Sequence, residues 1–220
     1  MAKKLQFFVA GLGRFGISVA VTLEKMGYDV MAMDIDEEVV QDLSDTLGYV
    51  VCADCSDEKN LAAIGAGNAD IAVVSVGDLS ASLMTTLLLK EMGVKKIVVK
   101  ALDPIHGKML QKIGADKIIY SEKEMGVRVA HNLISPGIVD YIEMENNITI
   151  LSIRVPQEWV SKSLIDTDVR RKYNITVVAI KRGGDMFVNP RPDMNMKEQD
   201  MLIILGDSES VKRVTESLEQ

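Results

Sequence analysis

The sequence predicts an α/β protein in which a doubly wound parallel sheet is followed by a small α+β domain. Short apolar runs alternate with helix-forming segments over residues 5–134, an alternation typical of βαβ units. The first run ends in a glycine-rich turn, Gly11-Leu12-Gly13-Arg14-Phe15-Gly16, that leads into a helical segment. Beyond a Ser-Pro-Gly break at 135–137 the alternation stops and strand patterns dominate. The first part therefore has the pattern of a Rossmann-type domain.

Composition narrows the class of protein. With 220 residues, 47% of them hydrophobic, the chain is able to bury a substantial core without disulfides. No apolar run approaches the ~20 residues needed to span a bilayer, and the N-terminus lacks a signal-peptide pattern. The two cysteines fit a reducing compartment, so we expect a cytoplasmic protein. A net charge of −7 argues against nucleic acid as a partner, because phosphate contacts need a basic surface.

Six strands are predicted for the first domain, because each run is short and rich in apolar residues. They lie at residues 5–10, 28–33, 49–52, 71–76, 96–100 and 117–120. Five helices separate them, at residues 14–26, 37–46, 58–64, 79–92 and 104–113. Gly27, Gly93 and Gly114 end three of these helices, and Asp103-Pro104 starts the last one. The crossovers of such a sheet are right-handed.

A sixth helix and a second domain complete the prediction. Ser121-Glu122-Lys123-Glu124 matches the capping box and starts a helix to about residue 134. The break that follows sets the expected boundary between domains 1–136 and 137–220. The second domain is predicted to contain, in order, a helix at 138–144, strands at 148–155, 175–181, 186–189 and 201–205, and a helix at 208–218. Glycines at 183 and 184 predict a hairpin turn at 182–185.

The glycine turn has the features of a diphosphate-binding site. Gly11 permits the tight turn, Gly13 lets the backbone approach a phosphate, and Gly16 allows close packing of the helix on the strand. The N–H groups at the helix start, around Arg14 and Phe15, then face the anion. The alternative is a structural turn that binds nothing.

Two carboxylates follow the second strand. Asp34 stands at its carboxyl end, where it can accept both hydroxyls of an adenosine ribose and disfavours a 2′-phosphate. The alternative role is a helix cap, which Asp36 can supply while Asp34 binds the sugar.

Arg14 is the unusual residue of the turn. Its guanidinium stands beside the phosphate cradle, where it can pair with a terminal phosphate. A dinucleotide has no terminal phosphate there, so Arg14 favours ATP or ADP over NAD or NADH. The alternative is an exposed arginine without a ligand. By topology, Asp54 and Cys55 lie near the adenine, and Val76 and Gly77 near the ribose or the phosphates.

Other chemistry is less favoured. Cys52 and Cys55 have C-x-x-C spacing, but Cys52 ends a strand, whereas the redox motif opens a helix. His106 and His131 lie far apart and form no metal set, and we find no candidate catalytic residue. Glu122 serves the helix start or binds a cation against a partner copy.

With these segments in place, the whole chain resembles the RCK (regulator of potassium conductance) family, and most resembles the cytosolic subunits of Ktr and Trk potassium uptake systems. The resemblance is carried in the first domain by the glycine turn, Met33-Asp34-Ile35-Asp36-Glu37-Glu38, Asp54, Lys100, Gly114–Ile119 and Glu122–Gly126, and in the second by Leu164–Tyr173 and Val178–Arg182. Two positions depart from the family pattern: Asn189-Pro190 replaces Ser-Pro, and Tyr120-Ser121 replaces His-Pro.

The resemblance implies a regulatory subunit and not an enzyme. Such subunits form a ring of eight, built from dimers, that docks on a membrane potassium channel and responds to ATP or ADP. Arg14 is then the phosphate ligand, Asp34 and Asp36 the ribose ligands, Lys100 part of the nucleotide site, and Glu122 the ligand of a divalent cation or sodium. The contrasting hypotheses are an NAD-dependent oxidoreductase, an NADH-sensing regulator and a DNA-binding redox sensor.

The resemblance also implies a second ligand, cyclic di-AMP, bound between two copies of the C-terminal domain. Its contacts fall on Leu164, Ile165, Arg170, Ile175 and Pro192.

Overall fold

The computed structural model describes residues 4–134, 138–144 and 147–216, which form two compact units. The first unit is Met1–Ser121 and the second is Glu122–Gln220. The domain boundary predicted at residue 136 lies outside the described residues and stays a prediction. Within the described ranges, no helix is both long and apolar enough to cross a membrane.

The first unit is a six-stranded parallel sheet with helices between successive strands, which confirms the predicted Rossmann-type fold. Its strands are β1 (Gln6–Ala10), β2 (Asp29–Asp34), β3 (Tyr49–Cys52), β4 (Ile71–Val74), β5 (Lys96–Lys100) and β6 (Lys117–Ile119). Its helices are α1 (Arg14–Lys25), α2 (Glu37–Leu43), α3 (Glu58–Ile64), α4 (Leu79–Glu91) and α5 (Pro104–Ile113). The strands lie in the order β3-β2-β1-β4-β5-β6. The chain adds strands on one side of β1 up to β3 and then on the other side from β4, so the switch point of the topology lies between β1 and β4.

Strand β1 lies at the centre of this sheet and is buried on both faces. Phe8 and Ala10 belong to one core cluster, and Phe7 and Val9 belong to another. The two sets alternate along the strand because successive side chains point to opposite faces of a sheet. The turn after β1 is therefore anchored at the most constrained place in the unit.

The second unit is built on an antiparallel five-stranded sheet. Its strands are β7 (Ile138–Met144), β8 (Ile148–Arg154), β9 (Thr176–Arg182), β10 (Asp185–Val188) and β11 (Met201–Asp207), in the order β10-β9-β11-β8-β7. Its helices are α6 (Ser121–Ile134), α7 (Leu164–Thr167), α8 (Val169–Tyr173) and α9 (Ser208–Glu216). Ser121, the first residue of α6, is the last residue of the first unit. This architecture confirms the small α+β domain.

One element of the second unit was predicted wrongly. Residues 138–144 were expected to be helical, but they form strand β7, which pairs with β8 through Tyr141 opposite Leu151 and Ile142 opposite Ile150. The segment is short and rich in β-branched and aromatic residues, which favour a strand once a partner strand is available. The pairing with β8 therefore overrode the helix-like spacing of its apolar residues.

The β9–β10 hairpin has the predicted turn, with Gly183 at φ +58°. At the end of β9, Arg182 donates two hydrogen bonds to Asp200, of 2.8 and 2.6 Å, and a third to the carbonyl of Asn195. Burial raises the pKa of Asp200, but the bonds from Arg182 and from the Lys197 N–H outweigh burial and hold this pKa below its ordinary value. This pair fixes the segment before β11 to the sheet.

Candidate nucleotide-binding site

The glycine turn lies at the point where the strand order reverses. The N–H of Gly11 donates to the carbonyl of Met33, at 2.9 Å, and the N–H of Ser75 donates to the carbonyl of Ala10, at 2.8 Å. The carboxyl ends of β1, β2 and β4 therefore meet at the turn. In doubly wound sheets, ligands bind in the crevice at this position.

The three glycines of the turn have different roles. A Cβ on Gly16 would lie 1.9 Å from the carbonyl oxygen of Gly11, and a Cβ on Gly11 would lie 2.9 Å from backbone atoms of Ser75 and Val76. Packing within the unit therefore demands both glycines. A Cβ on Gly13 would meet no atom within 4 Å. The unit itself does not require Gly13, which leaves open space where a phosphate can approach the backbone.

The N-terminus of α1 lacks a side-chain cap. Gly13 stands at its N-cap position and no acidic residue occurs in its first turn. The four following helices, α2 to α5, begin with capping aspartates whose carboxylates accept backbone N–H bonds: Asp36, Asp57, Asp78 and Asp103. The first N–H groups of α1 thus have no capping carboxylate, and the positive end of the helix dipole attracts an anion there.

Arg14 occupies the first position of α1 and is exposed, and no ion pair of its guanidinium occurs in the described part of the chain. It is therefore available to an anion bound at the helix start. Phe15 is half-buried and packs against the core under β1. The turn thus presents one cation and several backbone donors at one place.

The two carboxylates after β2 have different partners. Asp36 caps α2, since its Oδ1 accepts from the N–H of Glu38 at 3.0 Å. Asp34 accepts from the N–H of Asp36 through Oδ1, at 2.9 Å, and from the N–H of Leu12 through Oδ2. The cap role thus falls to Asp36, and Asp34 borders the glycine turn.

Ser75 is a component of the site that the sequence analysis did not identify. Its hydroxyl donates to the carbonyl of Gly11, at 2.6 Å, and its side chain is buried. The available signal was a small polar residue at the end of an apolar strand pattern. Val76 and Gly77 follow it, and Asp78 then caps α4.

The residues assigned to the adenine side follow β3. Hydrogen bonds from the hydroxyl and the N–H of Ser56 lower the pKa of Asp54 below its ordinary value, so this exposed group remains a carboxylate. Cys55 is buried, and burial raises the pKa of its thiol, which disfavours the reactive thiolate. Cys52 ends β3, so this pair lacks the geometry of a redox motif. Lys100 stands half-buried at the end of β5.

The predicted cation site has no additional support. Within the residues that the structure describes, no group of three or more His, Cys, Asp or Glu side chains is arranged to hold a metal ion. Glu122 lies exposed in the first turn of α6. Its role as a cation ligand stays a prediction.

Three of the five residues assigned to cyclic di-AMP lie together. The N–H of Ile165 donates to the carbonyl of Pro192, at 3.0 Å, and Leu164 precedes Ile165 at the start of α7. Arg170 is exposed in α8. Ile175 is only 1% exposed and packs inside the core, so its side chain offers no surface to a ligand.

The chain is similar to known domain families and to known proteins. Residues 7–121 match the TrkA-N domain and residues 148–219 match the TrkA-C domain. The chain is 41% identical to the Ktr system potassium uptake protein A of Bacillus subtilis (strain 168) over 212 residues, which cover 96% of each chain.

Two solved structures share this fold, one over almost the whole chain and one over part of it. The GsuK channel bound to NAD aligns with 99% of this chain and 39% of its own, with a TM-score of 0.69 and 15% identity. GsuK bound to ADP aligns with 59% of this chain and 34% of its own, with a TM-score of 0.52 and 25% identity.

Proposed function

Because this chain belongs to the TrkA family of RCK-domain proteins that regulate potassium uptake, we propose that it binds ATP or ADP and thereby controls potassium flux through a membrane channel. One observation carries the nucleotide part: the uncapped start of α1, with open space at Gly13 and an available guanidinium at Arg14. Backbone donors, a helix dipole and a cation together suit a polyphosphate.

Arg14 supports the choice of a mononucleotide. A bidentate guanidinium bond to a terminal phosphate is available with ATP, and the pyrophosphate of NAD has no such terminal group. GsuK, which shares this fold, is solved both with NAD and with ADP, which supports a nucleotide ligand for this chain without separating ADP from NAD. We therefore propose that the Arg14 guanidinium distinguishes nucleotides by the number of their phosphates.

Assembly with other copies is part of the proposal. Met125, Val129 and Leu133 recur every four residues along α6 and are between 46% and 78% exposed. Gly126 lies beside Met125, and a glycine inside a helix costs stability relative to alanine. A Cβ on Gly126 would meet no atom within 4 Å, so the described contacts do not require this glycine. An exposed apolar stripe beside a glycine suits close contact with a second copy. We propose dimers that assemble into a ring of eight, docked on a Ktr- or Trk-type channel subunit at the cytoplasmic face.

In a ring of eight sites, a small difference in nucleotide affinity at each site adds up to a large shift between two states of the ring. A nucleotide shifts an equilibrium only through its different affinities for the two states. Moving a population from 1:99 to 99:1 needs about 5.5 kcal/mol, which is about 0.7 kcal/mol per site when eight sites act together. A roughly threefold preference per site is then enough. Cyclic di-AMP, at Leu164, Ile165, Arg170 and Pro192, and a divalent cation or sodium at Glu122 are proposed to add further bias.

A thermal-shift panel with ATP, ADP, NAD, NADH and cyclic di-AMP, measured beside light scattering for mass, tests the function. We expect stabilisation by ATP and by ADP in a large assembly. Stabilisation by NADH alone, in a monomer or dimer, would instead indicate an NADH-sensing regulator or an oxidoreductase.

A further inference from the structure

Leu12 is buried within the glycine turn. Its side chain is 1% exposed and belongs to the core cluster under β1. Its N–H donates to a carboxylate oxygen of Asp34, a residue 22 positions further along the chain. A partly buried N–H that loses its acceptor destabilises the conformation to which it belongs. This bond therefore restrains the turn from the β2 side.

A second side chain restrains the turn from the β4 side. The hydroxyl of Ser75 donates to the carbonyl of Gly11, and the N–H of Gly11 is bonded to Met33. Residues 11 and 12 are thus held by the two strands that flank β1, whereas Gly13 and Arg14 are exposed. The fixed half orients the backbone donors of the open half before any ligand arrives, which lowers the ordering cost of binding.

We propose that Asp34 is a positioning residue of the phosphate-binding turn, acting through the Leu12 N–H, and that it combines this role with ribose binding. A carboxylate has about four acceptor positions. Two are used by the N–H groups of Leu12 and Asp36, so two remain for the ribose hydroxyls. One side chain then fixes the distance between the ribose and the phosphates. The inference rests on the proposed function, since it concerns the same site.

The electrostatics make this role specific. A carboxylate near a phosphate site repels the ligand, so removing the charge alone strengthens the binding of a polyphosphate. If Asp34 positions the turn, its removal weakens that binding instead. A polyphosphate ligand without a ribose therefore distinguishes positioning of the turn by Asp34 from direct contact between Asp34 and the ribose.

The experiment compares Asp34→Ala with Asp36→Ala in the full chain without nucleotide. Both variants remove one carboxylate at the same edge of the sheet, and both leave backbone N–H groups without an acceptor, but only Asp34 contacts the turn. Hydrogen exchange is measured by mass spectrometry on peptides that span residues 6–16. We expect exchange at the turn to become about tenfold or more faster in Asp34→Ala and to stay unchanged in Asp36→Ala.

Two further measurements complete the test. Calorimetry with inorganic tripolyphosphate is expected to show weaker binding in Asp34→Ala and equal or tighter binding in Asp36→Ala. If Asp34→Ala fails to fold, Asp34→Asn keeps one acceptor oxygen and is expected to show intermediate exchange. Unchanged exchange at the turn in the folded variant would overturn the inference. Because exchange is measured without nucleotide, this outcome is distinct from a failure of ATP and ADP to bind.

Discussion

Helix α1 and helices α2 to α5 start at the same edge of one parallel sheet, yet only α1 begins without a capping side chain. An aspartate cap is worth about 1 kcal/mol, and helices α2 to α5 each have one. At α1 the chain uses Gly13, beside Arg14, and the space at Gly13 is open. Four of these five helices thus have their first N–H groups capped by an aspartate of the chain, and the N-terminus of α1 is left open for a ligand.

The glycines of the turn give the largest expected effect. Gly16→Ala places a Cβ 1.9 Å from the Gly11 carbonyl oxygen, so the backbone must move. We expect a loss of about 3 kcal/mol or more in the free energy of unfolding, measured by urea titration. Gly13→Ala is the matched control, with open space and an ordinary φ of −71°, and we expect a loss of only about 1 kcal/mol or less, because alanine is a poorer N-cap residue than glycine. Equal stability of the two variants would refute the assignment of Gly16 to packing.

Substitution of Arg14 tests whether its guanidinium distinguishes ATP from ADP. Arg14→Ala removes a charge-assisted bond to a terminal phosphate, worth about 1.5–3 kcal/mol, so we expect affinity for ATP to fall about tenfold or more. ADP affinity is expected to change much less. Arg14→Lys keeps the charge but not the bidentate geometry and should lie between the two. Calorimetry measures both ligands, and equal losses for ATP and ADP would argue against this role.

Asp103 represents the capped helices. Its carboxylate accepts from the N–H groups of Ile105 and His106, at 2.7 and 2.8 Å. Asp103→Ala is expected to lower the free energy of unfolding by about 1 kcal/mol without changing ADP affinity. A loss of ADP binding in this variant would mean that capped helix starts also contribute to the site.

The smallest effect concerns His106, which follows that cap and is fully buried in α5. Burial lowers its pKa, and the Asp103 carboxylate opposes the shift only in part. Since the unfolded chain takes up the proton more readily, stability is expected to fall as pH drops below about 6.5, by less than about 1.4 kcal/mol per pH unit.

His106→Gln is the matching variant, because it keeps an acceptor for the Leu102 N–H and removes the titration. Unfolding is followed by urea titration between pH 7.5 and 5.5. A slope in the variant equal to that of the unaltered protein would show that His106 is not its source.

The doubly wound parallel sheet of the first unit could be predicted from the sequence because six apolar runs alternate with helices. The second unit was harder, since residues 138–144 have no local signal that distinguishes a short amphipathic helix from a strand awaiting a partner. The bond from Leu12 to Asp34 and the burial of Ser75 depend on which strands become neighbours. The family resemblance likewise included Ile175 among the cyclic di-AMP contacts, and only the packed core shows that its side chain is enclosed.

Gly13→Asp tests the central claim most directly, because it gives α1 the cap that α2 to α5 already have. Gly13 has the extended backbone of an N-cap residue, and a Cβ there meets no atom within 4 Å, so an aspartate fits. Calorimetric titration of ADP is predicted to show binding to the unaltered protein and a loss of about 100-fold or more in the variant, with a melting temperature that is unchanged or higher. Equal ADP binding by both proteins would contradict the account.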